Sequence, residues 1–309
     1  MSSGECFAKV GRLELCYETL GADDAPPLLL VMGFAAQMLL WEDEFCGQLA
    51  ERGFRVIRFD NRDSGRSTIL REAGMPTVWQ LLRRSRSAAT YSLEEMAFDA
   101  AGLLDHLGVR AAHVVGASMG GLIAQLLTIH HPERVLSLVS IMSSTGSRRV
   151  GQIHPPLLPR LLRRPRSDRE GYIEDFVATF RAIGSKRYPL DPVQARALAA
   201  RCFDRGYDPA GSARQLGAIV TASDQTHALR EVRTPTTVIH GDADRLVMLS
   251  GGRAMARAIP GARLVVIPGM GHDLPRAVWP RVIDAIVKNA ARPPGRATWP
   301  DRQGAGSGG

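Results

Sequence analysis

Ala112-His113-Val114-Val115-Gly116-Ala117-Ser118-Met119-Gly120-Gly121 is an apolar run that ends in a Gly-x-Ser-x-Gly turn. Leu122, Ile123, Leu126, Leu127 and Ile129 follow at helical spacing. The stretch therefore reads as strand, sharp turn and helix, with a serine at the corner: a nucleophile elbow. Such a corner needs residues without side chains two positions before and two after the serine, where strand and helix backbones approach closely, and Gly116 and Gly120 meet that need. Ser118 would then sit at a helix N-terminus, whose free amides favour a developing negative charge.

Upstream, Leu28-Leu29-Leu30-Val31-Met32 is continuously apolar, as a strand buried on both faces is, and it closes at Gly33-Phe34. Short alternating runs at 6–10 and 13–17 around Gly11-Arg12 suggest an N-terminal hairpin. Residues 38–52 have helical spacing, 54–59 read as a strand, and Asp60-Asn61-Arg62-Asp63-Ser64-Gly65-Arg66-Ser67 is a polar turn at its end. Residues 68–91 carry no regular pattern. Ser92-Leu93-Glu94-Glu95 is a capping box that launches a helix stopped by Gly108, and 134–142 is a further apolar strand.

This alternation predicts an α/β fold with a mostly parallel sheet covered on both faces by helices. From Ser143 the rhythm breaks, with prolines at 155, 156, 159, 165, 189, 192 and 209 and helical segments near 171–183, 192–203 and 211–222. It resumes at Pro235 with a strand at 236–240, a helix at 252–258, a strand at 262–267 and a helix at 277–290. The expected organisation is a core of residues 1–144 and 231–291, an inserted helical cap at 145–230, and a Pro-, Gly- and Arg-rich tail at 292–309 that should be disordered.

The two strands after the insertion end in chemistry-bearing residues. His240-Gly241-Asp242-Ala243-Asp244 places carboxylates just past one, and Gly269-Met270-Gly271-His272-Asp273 places a histidine just past the next. With Ser118 the chain order becomes Ser, Asp, His, each at the C-terminal edge of a strand, where open α/β sheets put their sites. His240 reads as a structural orienter. The histidines at 106, 113, 130, 131, 154 and 227 lack any such context.

The 309 residues carry 39 Lys and Arg against 31 Asp and Glu, a net charge of +8, but lysine occurs only at 9, 186 and 288. The excess is arginine, collected at 83–86 and 148–169, and it reads as solvated surface. No helix-turn-helix, zinc-finger or aromatic-plus-basic pattern supports a nucleic-acid partner. Four cysteines, at 6, 16, 46 and 202, form neither a Cys-x-x-Cys pair nor a metal-spaced cluster, so they read as reduced thiols of a cytoplasmic protein. The first residues show neither the charged nor the apolar stretch of an export signal, so none is expected, and the longest apolar run is too short for stable membrane insertion. No metal ligand set such as His-Glu-x-x-His is present.

Over about residues 5–290 the chain resembles the α/β-hydrolases that carry a helical cap, on Gly116-Ala117-Ser118-Met119-Gly120-Gly121, His240-Gly241-x-x-Asp244 and Gly271-His272. Leu30-Val31-Met32-Gly33-Phe34, Trp41, Asp43-Glu44-Phe45-Cys46 and the turn 60–67 are similar to the branch of aclacinomycin methylesterases and related carboxylesterases. Two positions depart from that pattern: Met32 stands where a histidine is usual before the oxyanion loop, and Asp63 where a glycine is usual. The resemblance implies Ser118 as nucleophile, His272 as base and Asp244 as its orienting acid, with backbone amides of Phe34 and Met119 as the oxyanion hole. It implies a small-molecule ester substrate and no cofactor. Asp242, nearer the strand, is expected to stabilise the turn. Two other readings stand beside the carboxylesterase: a cofactor-free perhydrolase or haloperoxidase using the same residues, and a non-catalytic binding protein on this fold.

Overall fold

The apolar run at 28–31 becomes the middle of a sheet because neither of its faces meets water. In the computed structural model, which describes residues 4–157 and 166–293, it forms β3 (Pro27–Val31). The other strands are β1 (Cys6–Val10), β2 (Leu13–Leu20), β4 (Arg55–Phe59), β5 (Ala112–Ala117), β6 (Val135–Ile141), β7 (Thr236–Gly241) and β8 (Arg263–Ile267). Their order across the sheet is β1-β2-β4-β3-β5-β6-β7-β8. β1 and β2 pair antiparallel, β2 runs antiparallel to β4, and every other neighbouring pair is parallel.

Side-chain alternation splits the core in two. Leu29, Val31, Ile57, Val114, Leu138 and Val238 point to one face, where α3 (Leu93–His106) and α4 (Met119–His130) cover them. Leu28, Leu30, Val56, Val115, Val139 and Ile239 point to the other, against α1 (Asp43–Glu51) and α10 (Trp279–Ala290). Each fully buried leucine or valine is worth about 1.5–3 kcal/mol. The chain leaves β3 to one side for β4 and returns to its other side with β5, so the order reverses there. A crevice opens at the carboxyl ends of β3 and β5.

Residues 38–52, expected as one helix, divide into a single 3-10 turn at Met38–Leu40 and α1. The break falls at Trp41, whose carbonyl accepts a 2.5 Å hydrogen bond from the buried Arg58 guanidinium in place of a helical partner. Residues 68–91 hold a short helix, α2 (Val78–Leu82), and a 3-10 turn at Arg86–Ala88. No helix among the described residues is long and apolar enough to cross a membrane. The tail expected to be disordered lies, from residue 294, outside the described residues.

Between β6 and β7 the described residues contain helices and no strand: α5 (Arg169–Ile183), α6 (Pro192–Arg205), α7 (Pro209–Thr221) and α8 (Thr226–Leu229). α9 (Ser250–Ala258) follows β7. Pro192 and Pro209, which interrupt the sequence rhythm, open helices: each follows an aspartate cap, Asp191 or Asp208, that accepts from the first-turn amides. α5 and α6 pack through Tyr172, Phe176, Phe203 and Tyr207.

Buried polar contacts bind these helices to the loops after β3 and β4. Gln37 donates to the carbonyls of Cys202 and Gly206 at 2.7 and 2.8 Å, and Arg205 donates to Asp60 at 2.9 Å. Arg214 makes a bidentate pair with Asp63, both bonds 2.8 Å and both side chains inaccessible to solvent. This accounts for the aspartate where the resembling branch carries glycine. Asp63 keeps the left-handed backbone, φ +63°, that a glycine would supply, and adds an anchor for α7. Removing one partner strands a buried charge, so Arg214→Met should cost about 3–5 kcal/mol of unfolding free energy in urea. Asp63→Gly/Arg214→Met, which removes both charges and relieves the backbone, should regain part of that loss.

Candidate active site

Ser118 occupies the corner between β5 and α4 with φ +55° and ψ −119°, a conformation that costs a non-glycine residue about 1–3 kcal/mol. Close packing holds it there. A Cβ on Gly116 would lie 2.1 Å from the Gly120 carbonyl oxygen, and one on Gly120 would lie 2.1 Å from that of Val31. The Ser118 amide donates to Ile141 O at 2.9 Å, and its carbonyl accepts from Ser143 Oγ at 2.8 Å. The serine is fixed by its backbone, which leaves its hydroxyl free to point into the crevice.

His272 reaches that hydroxyl from the loop after β8, with Nε2 2.9 Å from Ser118 Oγ. Its other nitrogen, Nδ1, lies 2.8 Å from Asp244 Oδ2. The carboxylate holds the ring proton on Nδ1 and so leaves Nε2 as the acceptor facing the serine. Asp244 is buried at the end of β7, and its second oxygen accepts from the amides of Leu246 and Val247 at 2.9 Å each. Asp242 points away and accepts from Gly269 N at 2.6 Å, tying the turn after β7 to the loop after β8. The structure thus brings Ser118, His272 and Asp244 into one hydrogen-bonded row and leaves Asp242 outside it.

Two amides, of residues that line the crevice beside Ser118, have no protein partner among the described residues. Met119 N–H is the first of α4, where no intrahelical acceptor exists. Phe34 N–H lies on the loop after β3, and Gly33 in that loop is so close to the serine that a Cβ there would sit 3.1 Å from Ser118 Cβ. The loop is held by Asn61 Nδ2, which donates to Met32 O at 2.9 Å, and by Gln215 Oε1, which accepts from Ala35 N at 2.8 Å. These backbone contacts anchor a loop in which Met32 replaces the usual histidine. Among the described residues no group of His, Cys, Asp and Glu is arranged to hold a metal ion.

Ser118 and His272 open into a cavity walled by Met32, Phe34 and Leu39 from the sheet side and by Phe180, Leu216 and Ile219 from the helices between β6 and β7. Residues 26–275 match the alpha/beta hydrolase fold family. The chain belongs to the α/β-hydrolase family. Over 296 residues this hydrolase is 31% identical to rhodomycin D methylesterase DnrP of Streptomyces peucetius, covering 89% of this chain and 94% of that protein. It is 26% identical over 276 residues to a putative non-heme chloroperoxidase of Synechocystis, covering 85% and 89%. A crystal structure of a hydrolase from Pseudomonas aeruginosa PA01 superposes with a TM-score of 0.70 at 25% identity, covering 94% of this chain and 99% of that one.

The site also contains residues that sequence reasoning did not single out. The His272 amide donates to Ile183 O, at the end of α5, at 2.8 Å, and Gly271 N donates to Ser185 Oγ at 2.8 Å. Asp273 accepts from the Ser185 amide at 3.0 Å and from its hydroxyl at 2.5 Å, while burial pushes the Asp273 carboxyl above the usual range. Asp273 was visible as the neighbour of His272. Ser185, 87 positions upstream of His272, gave no signal.

His240 is fully buried, with Nε2 donating to Val247 O at 2.8 Å and Nδ1 unpartnered among the described residues. Burial holds its pKa below the ordinary histidine value, against the opposing pull of Asp244. The folded chain therefore binds this proton less readily than the unfolded chain. The stability it contributes is full above the unfolded pKa near 6.5 and is lost as pH falls below it, by at most about 1.4 kcal/mol per pH unit. Urea unfolding at pH 7, 6 and 5 should show that fall, with His113, also shifted down by burial, adding in the same direction. His240→Gln should flatten the slope.

Proposed function

We propose that this α/β-hydrolase cleaves carboxylic esters through Ser118, His272 and Asp244 by way of an acyl-enzyme. The observation that carries the reading is the unbroken row from Asp244 to His272 to Ser118 Oγ, at 2.8 and 2.9 Å, beside two unpartnered amides. His272 Nε2 takes the hydroxyl proton as Ser118 attacks the ester carbonyl, and the imidazolium is stabilised by Asp244. The oxyanion is received by Phe34 N–H and Met119 N–H, each worth about 3 kcal/mol. The proton then passes to the departing alkoxide, and His272 activates water to release the acid. The segment 145–230 serves as a cap whose helices roof the cavity and select the ester. A pure binding protein would need neither the ordered imidazole nor the unpartnered amides.

The methylesterase named among the relatives supports a carboxylic ester of a small molecule as substrate. The relative named a chloroperoxidase favours a second reading, in which peroxide rather than water intercepts the acyl-enzyme at the same residues. Turnover of p-nitrophenyl esters with and without peroxide, scored for peracid, separates the two. Four unpaired thiols, of which those of Cys16, Cys46 and Cys202 are pushed up to about 12 mainly by burial, suit a reducing, cytoplasmic setting.

Ser118→Ala should lower ester turnover at least about 10⁴-fold while the protein stays folded, and a fluorophosphonate label should map to Ser118. Label on any other residue would overturn the mechanism. Asp244→Asn should cost on the order of 10⁴-fold at pH 7 to 8 by favouring the wrong imidazole tautomer. Asp242→Asn should act mainly on the melting temperature, and a larger catalytic loss there than in Asp244→Asn would reassign the acid.

A further inference from the structure

Helix α2 carries an apolar face that the fold does not use. None of its residues is buried, and Met75, Val78, Trp79 and Leu82 are 61%, 67%, 70% and 62% exposed. Scattered exposed apolar residues are ordinary, but four large ones within eight positions form the kind of patch that marks an interaction site. The helix is held by its own capping box: Thr77 Oγ1 accepts from Gln80 N at 3.2 Å, and Gln80 Oε1 accepts from Thr77 N at 2.7 Å.

Charge indicates what the patch meets. Arg83, Arg84 and Arg86 follow the apolar residues directly, all exposed, and no acidic residue occurs between Glu72 and Glu94. Among the described residues none of these arginines pairs with a carboxylate, and Arg83 lies over the Trp79 ring at 5.9 Å. Met75 and Trp79, 61% and 70% exposed and outside the cavity lining, project from the surface and frame no groove of their own, which suits a fluid partner. Tryptophan and aliphatic residues bordered by arginine are the composition of interfacial segments on anionic lipid. A symmetric contact with a second copy would bring the arginines of both copies together, which disfavours it. Val78, Leu82 and Arg84 also line the cavity that holds Ser118 and His272, so the patch borders the way in.

We propose that residues 75–86 dock this protein reversibly on an anionic lipid surface, with the mouth of the cavity turned toward it. Docking is peripheral and needs no spanning helix. Delivery of lipid-dissolved esters to Ser118 would follow from it and rests on the esterase reading; the docking itself does not.

The test uses the full chain, without substrate, sedimented with phosphatidylcholine vesicles and with vesicles that also contain phosphatidylglycerol. The protein should partition onto the anionic vesicles only, with a blue shift of tryptophan emission that Trp79→Phe removes. Arg83→Gln/Arg86→Gln should lower the partition coefficient about 30-fold, near fivefold for each basic residue. Met75→Ser/Trp79→Ser should weaken partitioning as well, and about 1 M salt, with a Debye length near 3 Å, should abolish the preference for anionic lipid. None of these four side chains lines the cavity, so hydrolysis of a water-soluble ester should be unchanged in both double variants. The proposal is overturned if the wild-type protein ignores both vesicle types, or if both double variants partition like wild type. Patch-dependent self-association, or binding to an acidic protein without binding to vesicles, would equally overturn it.

Discussion

Everything at the site depends on how closely backbone is allowed to approach backbone at the carboxyl edge of the sheet. α4 enters against β3 only because Gly120 has no Cβ to meet the Val31 carbonyl, and that approach sets the unusual dihedrals of Ser118. The same constraint recurs at the other members of the row. A Cβ on Gly241 would lie 2.0 Å from Met270 O, and one on Gly271 would lie 2.4 Å from the carbonyl carbon of Gly184. The strand ends bearing Asp244 and His272 are thus wedged together as tightly as the elbow, and their positions follow from main-chain packing more than from side-chain choice.

Around that rigid edge, buried charge specifies where the helices between β6 and β7 sit. Arg205 and Arg214 take their carboxylates, Asp60 and Asp63, from the turn after β4, and Gln37 and Gln215 bridge from the loop after β3 or onto it. Buried ion pairs add little net stability over well-packed apolar residues, because desolvation offsets their attraction. What they provide here is directionality: an apolar contact would let α6 and α7 slide, whereas a bidentate guanidinium–carboxylate pair admits one placement.

The sheet and the row of Ser118, Asp244 and His272 were legible because each rests on a local signal. Continuous apolar runs marked the parallel strands, the glycine spacing marked the elbow, and the resemblance distinguished Asp244 from Asp242. What sequence did not reveal was set by partners distant along the chain. The break at Trp41 comes from Arg58, in a strand beyond the helix it interrupts. Asp63 looked like a departure until Arg214, 151 positions away, supplied its reason. Ser185 and Ile183 carry no motif at all, and only the fold brings them to the loop of His272.

That last contact bears on how such proteins diversify. The loop bearing His272 is laced to the end of α5 by the Ile183 carbonyl and by Ser185, so the imidazole takes part of its alignment from the helices between β6 and β7 and not from the sheet alone. Those helices and the sheet are consequently not interchangeable modules. Exchanging that helical segment for one of another shape, by recombination or by engineering, would carry off two of the tethers that hold the loop bearing His272. Sequence variation is free to accumulate along the outer turns of α5 to α7, while the few residues from 183 to 185 must change in step with the loop they grip.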